Sequence, residues 1–195
     1  VLNEGKVFYD LGANIGFYGV LAARLVGPSG HVYMFEPFEP SVKAIQKNMG
    51  LNGFTNYTVE QVAVSNESGE ISLGMGDNSA KHSIEKAQDS GESSFRVKSV
   101  SIQDYIQQNN ARLPDVIMID IEGAEIMALE GMLGVLEKAK PVILCEVHWL
   151  GDAFPDFVEK KIVPLGYKVT TYEGGELSRE HVRFHAVMRP ISPRV

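Results

Sequence analysis

The sequence predicts an α/β fold, a mostly parallel central sheet with helices on both faces and an antiparallel edge, and three observations carry that expectation. Short apolar or β-branched runs alternate with amphipathic segments, the pattern of successive βα units. The run at residues 115–119 lacks polar alternation, as a strand buried on both faces does. A glycine-bearing turn, Asp10-Leu11-Gly12-Ala13-Asn14-Ile15-Gly16, joins the first strand-like run to the first helix-like one.

In chain order, residues 6–11 form the first strand, and a helix follows with Phe17, Val20, Leu21 and Leu25 on one face, stopped by Gly27-Pro28. Residues 31–35 form the second strand, which Glu36-Pro37 ends because proline cannot donate to a ladder. Val42, Ile45 and Met49 recur at helical spacing, and the helix breaks near Asn52-Gly53. Residues 57–64 read as a third strand. Residues 70–73 and 95–100 read as an antiparallel excursion around residues 74–94, a polar stretch rich in Gly, Ser, Asp and Lys that is expected to be a long loop over the substrate. A short helix at residues 102–107 precedes the strand at 115–119, which should be central and carries Asp120 at its C-terminal end. A helix through Ile126, Leu129 and Leu133 leads to a strand at residues 142–147, which closes with Glu146, His148 and Trp149. A helix carrying Phe154, Phe157, Val158 and Ile162 comes next, and strands at residues 167–172 and 184–188 finish the chain as an antiparallel pair.

Composition bounds the function. With 195 residues, 44% of them hydrophobic and 22% charged, the chain can bury one full core and has little left for a second domain, so one domain with a hairpin or loop insertion at about residues 66–100 is expected. The longest apolar stretches, residues 115–121 and 141–147, are strand-sized against the roughly 20 residues that cross a bilayer. A membrane span is not expected. The chain opens on Val1 without a secretory leader, which points to a trimmed tag or a longer parent chain. A single cysteine, Cys145, sits in an apolar run and is expected to pack as a small hydrophobe in a reducing, cytoplasmic setting. The net charge of -7 opposes docking on a phosphate backbone, so no nucleic-acid partner is expected.

In doubly wound, Rossmann-like sheets ligands sit beyond the carboxyl ends of the strands. Four of those ends carry acids: Asp10, Glu36, Asp120 and Glu146. Any one of them alone reads as a helix cap or a solvated carboxylate; their repetition at successive ends points to a site. The turn lets backbone approach a ligand at Gly12 and Gly16 and leads into a helix N-terminus. It is not G-x-G-x-x-G, because Ala13 and Asn14 follow Gly12 where a second glycine would seat a pyrophosphate. A carboxylate at Asp10 would repel a pyrophosphate and favour the ammonium group of S-adenosylmethionine. Glu36, 26 positions after Asp10, stands where a second strand end meets a ribose and suits two vicinal hydroxyls. Pro37 and Phe38 would lie against the adenine, and residues 61–64, Ala63 among them, would offer backbone groups to its edge.

Five strings together resemble the FkbM family of methyltransferases: Asp10-Leu11-Gly12-Ala13-Asn14-Ile15-Gly16; Phe35-Glu36-Pro37; Ala63-Val64-Ser65; Ile119-Asp120-Ile121-Glu122-Gly123-Ala124-Glu125; and Glu146 near His148. The resemblance covers residues 5–149, and the Asp-x-Glu-Gly-Ala-Glu block is far more specific than the glycine turn. It implies a class I methyltransferase fold, S-adenosylmethionine as cofactor with S-adenosylhomocysteine as product, and transfer to a hydroxyl oxygen of a natural product or sugar. It further implies cofactor roles for Asp10, Gly12, Asn14, Gly16 and Glu36, and a place at the methyl-transfer centre for Asp120 and Glu122. One departure stands out: Met118 occupies the position, two before the aspartate, where the family often has lysine.

Transfer to oxygen needs an acceptor aligned near the methyl, at roughly 3 Å, and a base for its proton. His148 leads as that base, with Asp120 or Glu122 as alternatives if burial raises the pKa, Glu146 beside them, and His82 in the polar loop as a substrate contact. His148 also reads as a histidine hydrogen-bonded to structure, and His181 and His185 as structural or exposed. Asp120, Glu122 and Glu146 would offer oxygen ligands to a divalent metal, but no compact Asp-Asn pair follows the next strand, so no metal is expected. Transfer to nitrogen and a non-catalytic adenosyl-binding module remain as alternatives, a nicotinamide-dependent oxidoreductase is disfavoured by the missing glycine, and the assembly is expected to be either part of a larger chain or a homo-oligomer.

Overall fold

The computed structural model describes residues 2–74 and 94–192. Its elements are β1 (Val7–Leu11), α1 (Phe17–Val26), β2 (His31–Phe35), α2 (Glu39–Leu51), β3 (Tyr57–Glu60), β4 (Ala63–Val64), β5 (Gly69–Gly74), β6 (Ser94–Val100), α3 (Ile102–Asn109), β7 (Val116–Ile119), α4 (Glu125–Glu130), α5 (Leu133–Ala139), β8 (Val142–His148), α6 (Ala153–Phe157), β9 (Tyr167–Thr171) and β10 (Arg183–Pro190). A π-helical turn (Val158–Ile162) and a 3₁₀ turn (Val163–Leu165) continue α6.

Seven strands form one sheet in the order β3-β2-β1-β7-β8-β10-β9. The first five in that order run parallel, and β10 is antiparallel to both of its neighbours. The fold class is therefore the expected one, with the most apolar run, β7, in the middle. Strand alternation splits the core into two layers. Tyr9, Leu11, Phe35, Ile117 and Ile119 pack with Leu129, Met132 and Leu136, whereas Phe8, Val32, Met34 and Met118 pack with Ala22, Ala23, Ile45 and Met49. Met118, in place of the lysine, is thus a core residue of the second layer. Cys145 is buried in the first layer, also as expected. Among the described residues no helix is long and apolar enough to cross a membrane.

Four sequence expectations need correction. The helix α1 turns Gly19, Ala22, Ala23 and Val26 inward, leaving Phe17, Leu21 and Leu25 exposed. The reason is the closeness of α1 to the sheet: a Cβ on Gly19 would lie 2.2 Å from the Met34 sulfur, so only small side chains fit that face. The third strand is broken; Tyr57–Glu60 pairs with β2, whereas Ala63–Val64 pairs with β6 in a separate three-stranded sheet. The helix read through Ile126, Leu129 and Leu133 is two helices, α4 and α5, parted at Gly131, where a Cβ would meet the Ser65 carbonyl at 2.4 Å. The last helix gives way to the π turn after Phe157. The expected antiparallel excursion does form, β5 against β6, and the residues between them, with His82, lie outside the described residues.

Candidate active site

The turn after β1 folds onto the end of β2, because the N–H groups of Gly12 and Ala13 both donate to the Phe35 carbonyl, at 3.0 and 3.1 Å. Gly12 has φ +84°, and a Cβ there would stand 1.9 Å from the Asp120 carbonyl oxygen. Only glycine lets the turn lie this close to the end of β7. Glu36 is buried, with its carboxylate accepting from the Asn14 N–H at 2.8 Å and the Phe38 N–H at 2.9 Å. Burial pushes its pKa up and the two N–H donors pull against that.

A cleft opens at these strand ends, walled by Gly12, Asn14, Glu36, Pro37, Ala63 and Asp120, with Glu122 and Ile121 alongside. The wall fits a nucleoside: Glu36 is clamped by two backbone donors yet keeps lone pairs for a vicinal diol, and Val62, Ala63 and Pro37 supply apolar surface. The sequence-predicted cofactor residues Phe38, Gly16 and Asp10 are not in this wall, and Phe38 contributes its backbone N–H to Glu36 instead. Gly16, at φ +83°, serves as the N-cap of α1. Asp10 is 2% exposed and points with Phe8 toward α1, where an added Cβ on Gly19 would be 3.5 Å from its Oδ2. Strand alternation places it under the turn rather than over it. Burial, with the Asp120 charge second, raises Asp10 to about 7.

Across the cleft lies a denser group. Asp120 follows β7, Glu122 sits at φ +51° in the turn with Gly123, Glu125 opens α4, and Glu146 and His148 end β8. Glu125 is fully buried, and its Oε1 accepts from the Gly123 N–H at 3.0 Å and from His148 Nδ1 at 2.6 Å. A carboxylate there keeps the proton on Nδ1 and turns Nε2 outward. That nitrogen lies 3.5 Å from Glu146 Oε1, 3.6 Å from Glu122 Oε2 and 3.7 Å from Asp120 Oδ1, and has no hydrogen-bond partner among the described residues. Burial would lower the His148 pKa, but the Glu125 hydrogen bond and the charges of Glu125, Glu122 and Asp120 outweigh it and raise it. Asp120 is raised to about 6, by burial first and by Glu146 second. Glu146 Oε1 also forms an ion pair with Arg183 Nε at 2.8 Å, and its Oε2 is 3.5 Å from His185.

The structure therefore brings Asp120, Glu122, Glu146 and His148 into one cluster beside Gly12, Asn14, Glu36, Pro37 and Ala63. Trp149, half exposed at φ +51°, sets its ring 5.6 Å from that of His148, at the edge of the cluster and not in the core. His181 contacts the Trp149 carbonyl through Nδ1 at 2.9 Å. Two participants had not been singled out. Glu125 is the last acid of the Asp-x-Glu-Gly-Ala-Glu block, and its place three residues after Glu122 was the available signal. Arg183 carried no signal at all, because only the antiparallel pairing of Arg183 with His148 brings it to Glu146.

Comparison with known proteins agrees with this fold. The sequence profile of the methyltransferase FkbM domain matches residues 10–169. The chain is 26% identical over 147 residues to the hexuronic acid methyltransferase AglP of Haloferax volcanii, a match covering 74% of this chain and 57% of that protein. The fold resembles that of a methyltransferase FkbM from Methylobacillus flagellatus KT (TM-score 0.62, 15% identity, 94% of this chain and 43% of that one). It also resembles a SAM-dependent O-methyltransferase from Thermotoga maritima (TM-score 0.57, 14% identity, 100% of this chain and 62% of that one). The chain thus spans little more than half the length of the curated relative and less than half of the FkbM structure. The profile match over most of the residues, joined to the cleft and its acids, has one conclusion: the chain belongs to the FkbM family of S-adenosylmethionine-dependent methyltransferases.

Proposed function

We propose that this chain transfers a methyl group to an oxygen of a small hydroxylated acceptor, a sugar or sugar acid. The observation that carries this reading is the carboxylate-and-histidine cluster set directly against the nucleoside-shaped cleft, because an oxygen acceptor must lose a proton as it is methylated. When bound, S-adenosylmethionine supplies an electrophilic methyl on a sulfonium. Glu36 holds the ribose hydroxyls, while the turn at Gly12 and the residues Pro37 and Ala63 bound the nucleoside. Asp120 and Glu122 share the wall of the cleft, so they face the acceptor. His148 was the leading base in the sequence; buried at 2% exposure behind those acids, it supports them instead of touching the acceptor. The relation to the hexuronic acid methyltransferase supports a saccharide acceptor, and the net charge of -7 disfavours nucleic acid.

The test is formation of S-adenosylhomocysteine with uronic acids, neutral glycosides and, as controls, amine acceptors. Turnover with a saccharide is expected, and Glu122→Gln should lower kcat by about 100-fold with cofactor affinity within about twofold. Turnover with amines alone would refute transfer to oxygen.

A further inference from the structure

We propose that Asp120, Glu146 and His148 bind one divalent transition-metal cation at the inner end of the cleft. A ligand atom from each of the three lies within 4.8 Å of the other two. The distances from His148 Nε2 to Glu146 and Asp120, 3.5 and 3.7 Å, are too long for hydrogen bonds. They match instead the edge of a tetrahedron around an ion whose ligand bonds are about 2.1 Å, an edge of about 3.4 Å. The nitrogen is placed for the task. Its ring is 98% or more buried, its own hydrogen-bonding capacity is unused, and Glu125 on the far side fixes the tautomer with Nε2 free to coordinate. A metal-binding histidine whose other nitrogen donates to a carboxylate is the usual arrangement behind such ions.

The charges agree. Without a cation, His148 Nε2 faces three carboxylate oxygens, of Glu146, Glu122 and Asp120, at 3.5 to 3.7 Å, and either a proton on that nitrogen or a bound cation in its place offsets their charge. Two carboxylates and one neutral imidazole suit a first-row divalent ion in the range from Mn²⁺ to Zn²⁺, of which Mn²⁺ is the spectroscopic probe, and three protein ligands leave positions open. Glu146 would keep its Arg183 ion pair as an outer contact, of the kind ligating carboxylates commonly carry. Because Asp120 also walls the cleft, the open positions are where an acceptor oxygen enters. Resting on the reading above, the cation's work there is to lower the pKa of the acceptor hydroxyl. Glu122, whose Oε2 is 3.6 Å from Nε2 and which lies outside the three-ligand set, is left to take the proton.

The experiment is Mn²⁺ titration of the purified, chelator-treated chain, following loss of the free-ion electron paramagnetic resonance signal, with S-adenosylhomocysteine binding measured separately by calorimetry. One bound ion per chain is expected. His148→Ala and Glu146→Gln should each weaken it by about tenfold or more, with helical circular dichroism and S-adenosylhomocysteine affinity retained. Glu36→Gln should do the reverse, losing the nucleoside and keeping Mn²⁺. Failure of the folded wild-type chain to bind Mn²⁺ at roughly 1 mM, near the weak limit of useful affinity, overturns the site. Equal Mn²⁺ affinity in the wild-type, His148→Ala and Glu146→Gln chains also overturns it. S-adenosylhomocysteine binding without Mn²⁺ would remove the cation and leave the methyltransferase reading, whereas Mn²⁺ binding without the nucleoside would keep the cation and remove its role in methyl transfer.

Discussion

Glu36 at the end of β2 and Glu125 at the start of α4 are both buried carboxylates beyond the carboxyl ends of the parallel strands, yet they are held in opposite ways. Glu36 is met by two backbone N–H groups, and its half of the cleft is built largely from main chain and small or apolar residues. Glu125 spends Oε1 on His148 and Gly123 and leaves Oε2 without a hydrogen-bond partner among the described residues, as is His148 Nε2 beyond it. Unmet polar atoms in a buried setting cost stability, so they persist where a ligand or a reaction needs them. On the function proposed above, labour is divided: the β1–β2 side serves binding, and the β7–β8 side holds charge for the chemistry.

The sharpest way to break that division is at the seam. Gly12→Ala forces a Cβ to within 1.9 Å of the Asp120 carbonyl at a φ of +84°, so both halves must move apart. A loss of about 4 kcal/mol in thermal or denaturant unfolding is expected, from strain and overpacking together. An unchanged Tm would mean that the two halves are not locked through this turn. Glu36→Ala comes next in size: two part-buried N–H groups lose their acceptor and the diol loses its carboxylate, so S-adenosylhomocysteine should bind about 100-fold more weakly in calorimetry. A drop of less than threefold would move the ribose away from β2.

The smallest effect concerns Asp10, beneath the seam. Its folded pKa of about 7 lies above the ordinary value of 3.8. With the folded pKa raised, the neutral carboxyl's advantage is complete below the unfolded pKa and is lost as pH rises through about 7. In metal-free buffer Asp10→Asn, which cannot ionise, should therefore raise Tm by a few degrees at pH 8 and change it little at pH 4. A stabilisation of equal size at both pH values would show that packing, not ionisation, decides this position.

Much of this was legible in the residues. The parallel sheet with its antiparallel edge followed from alternating patterns, and β7 stood out by its unbroken apolar run. Nine of the residues now in the cleft or the cluster beside it, from Gly12 and Glu36 to Asp120 and His148, could be named because strand ends collect ligands whatever the strand order. What misled was size. Phe17, Leu21 and Leu25 suggested the buried face of α1, but the sheet approaches so closely at Met34 that Gly19, Ala22 and Ala23 take that place. Periodicity marks a stripe; it does not report the gap into which the stripe must fit.

The sequence by itself determined which residues could carry chemistry and at which end of the sheet they would gather, because pattern and turn chemistry are local properties. Only the tertiary structure decided their roles: Asp10 withdrawn under the turn, Glu125 locking a histidine from another strand, and Arg183 reaching Glu146 from the antiparallel edge. Those outcomes depend on side-chain direction and on distances between strands remote in the chain, which packing alone sets.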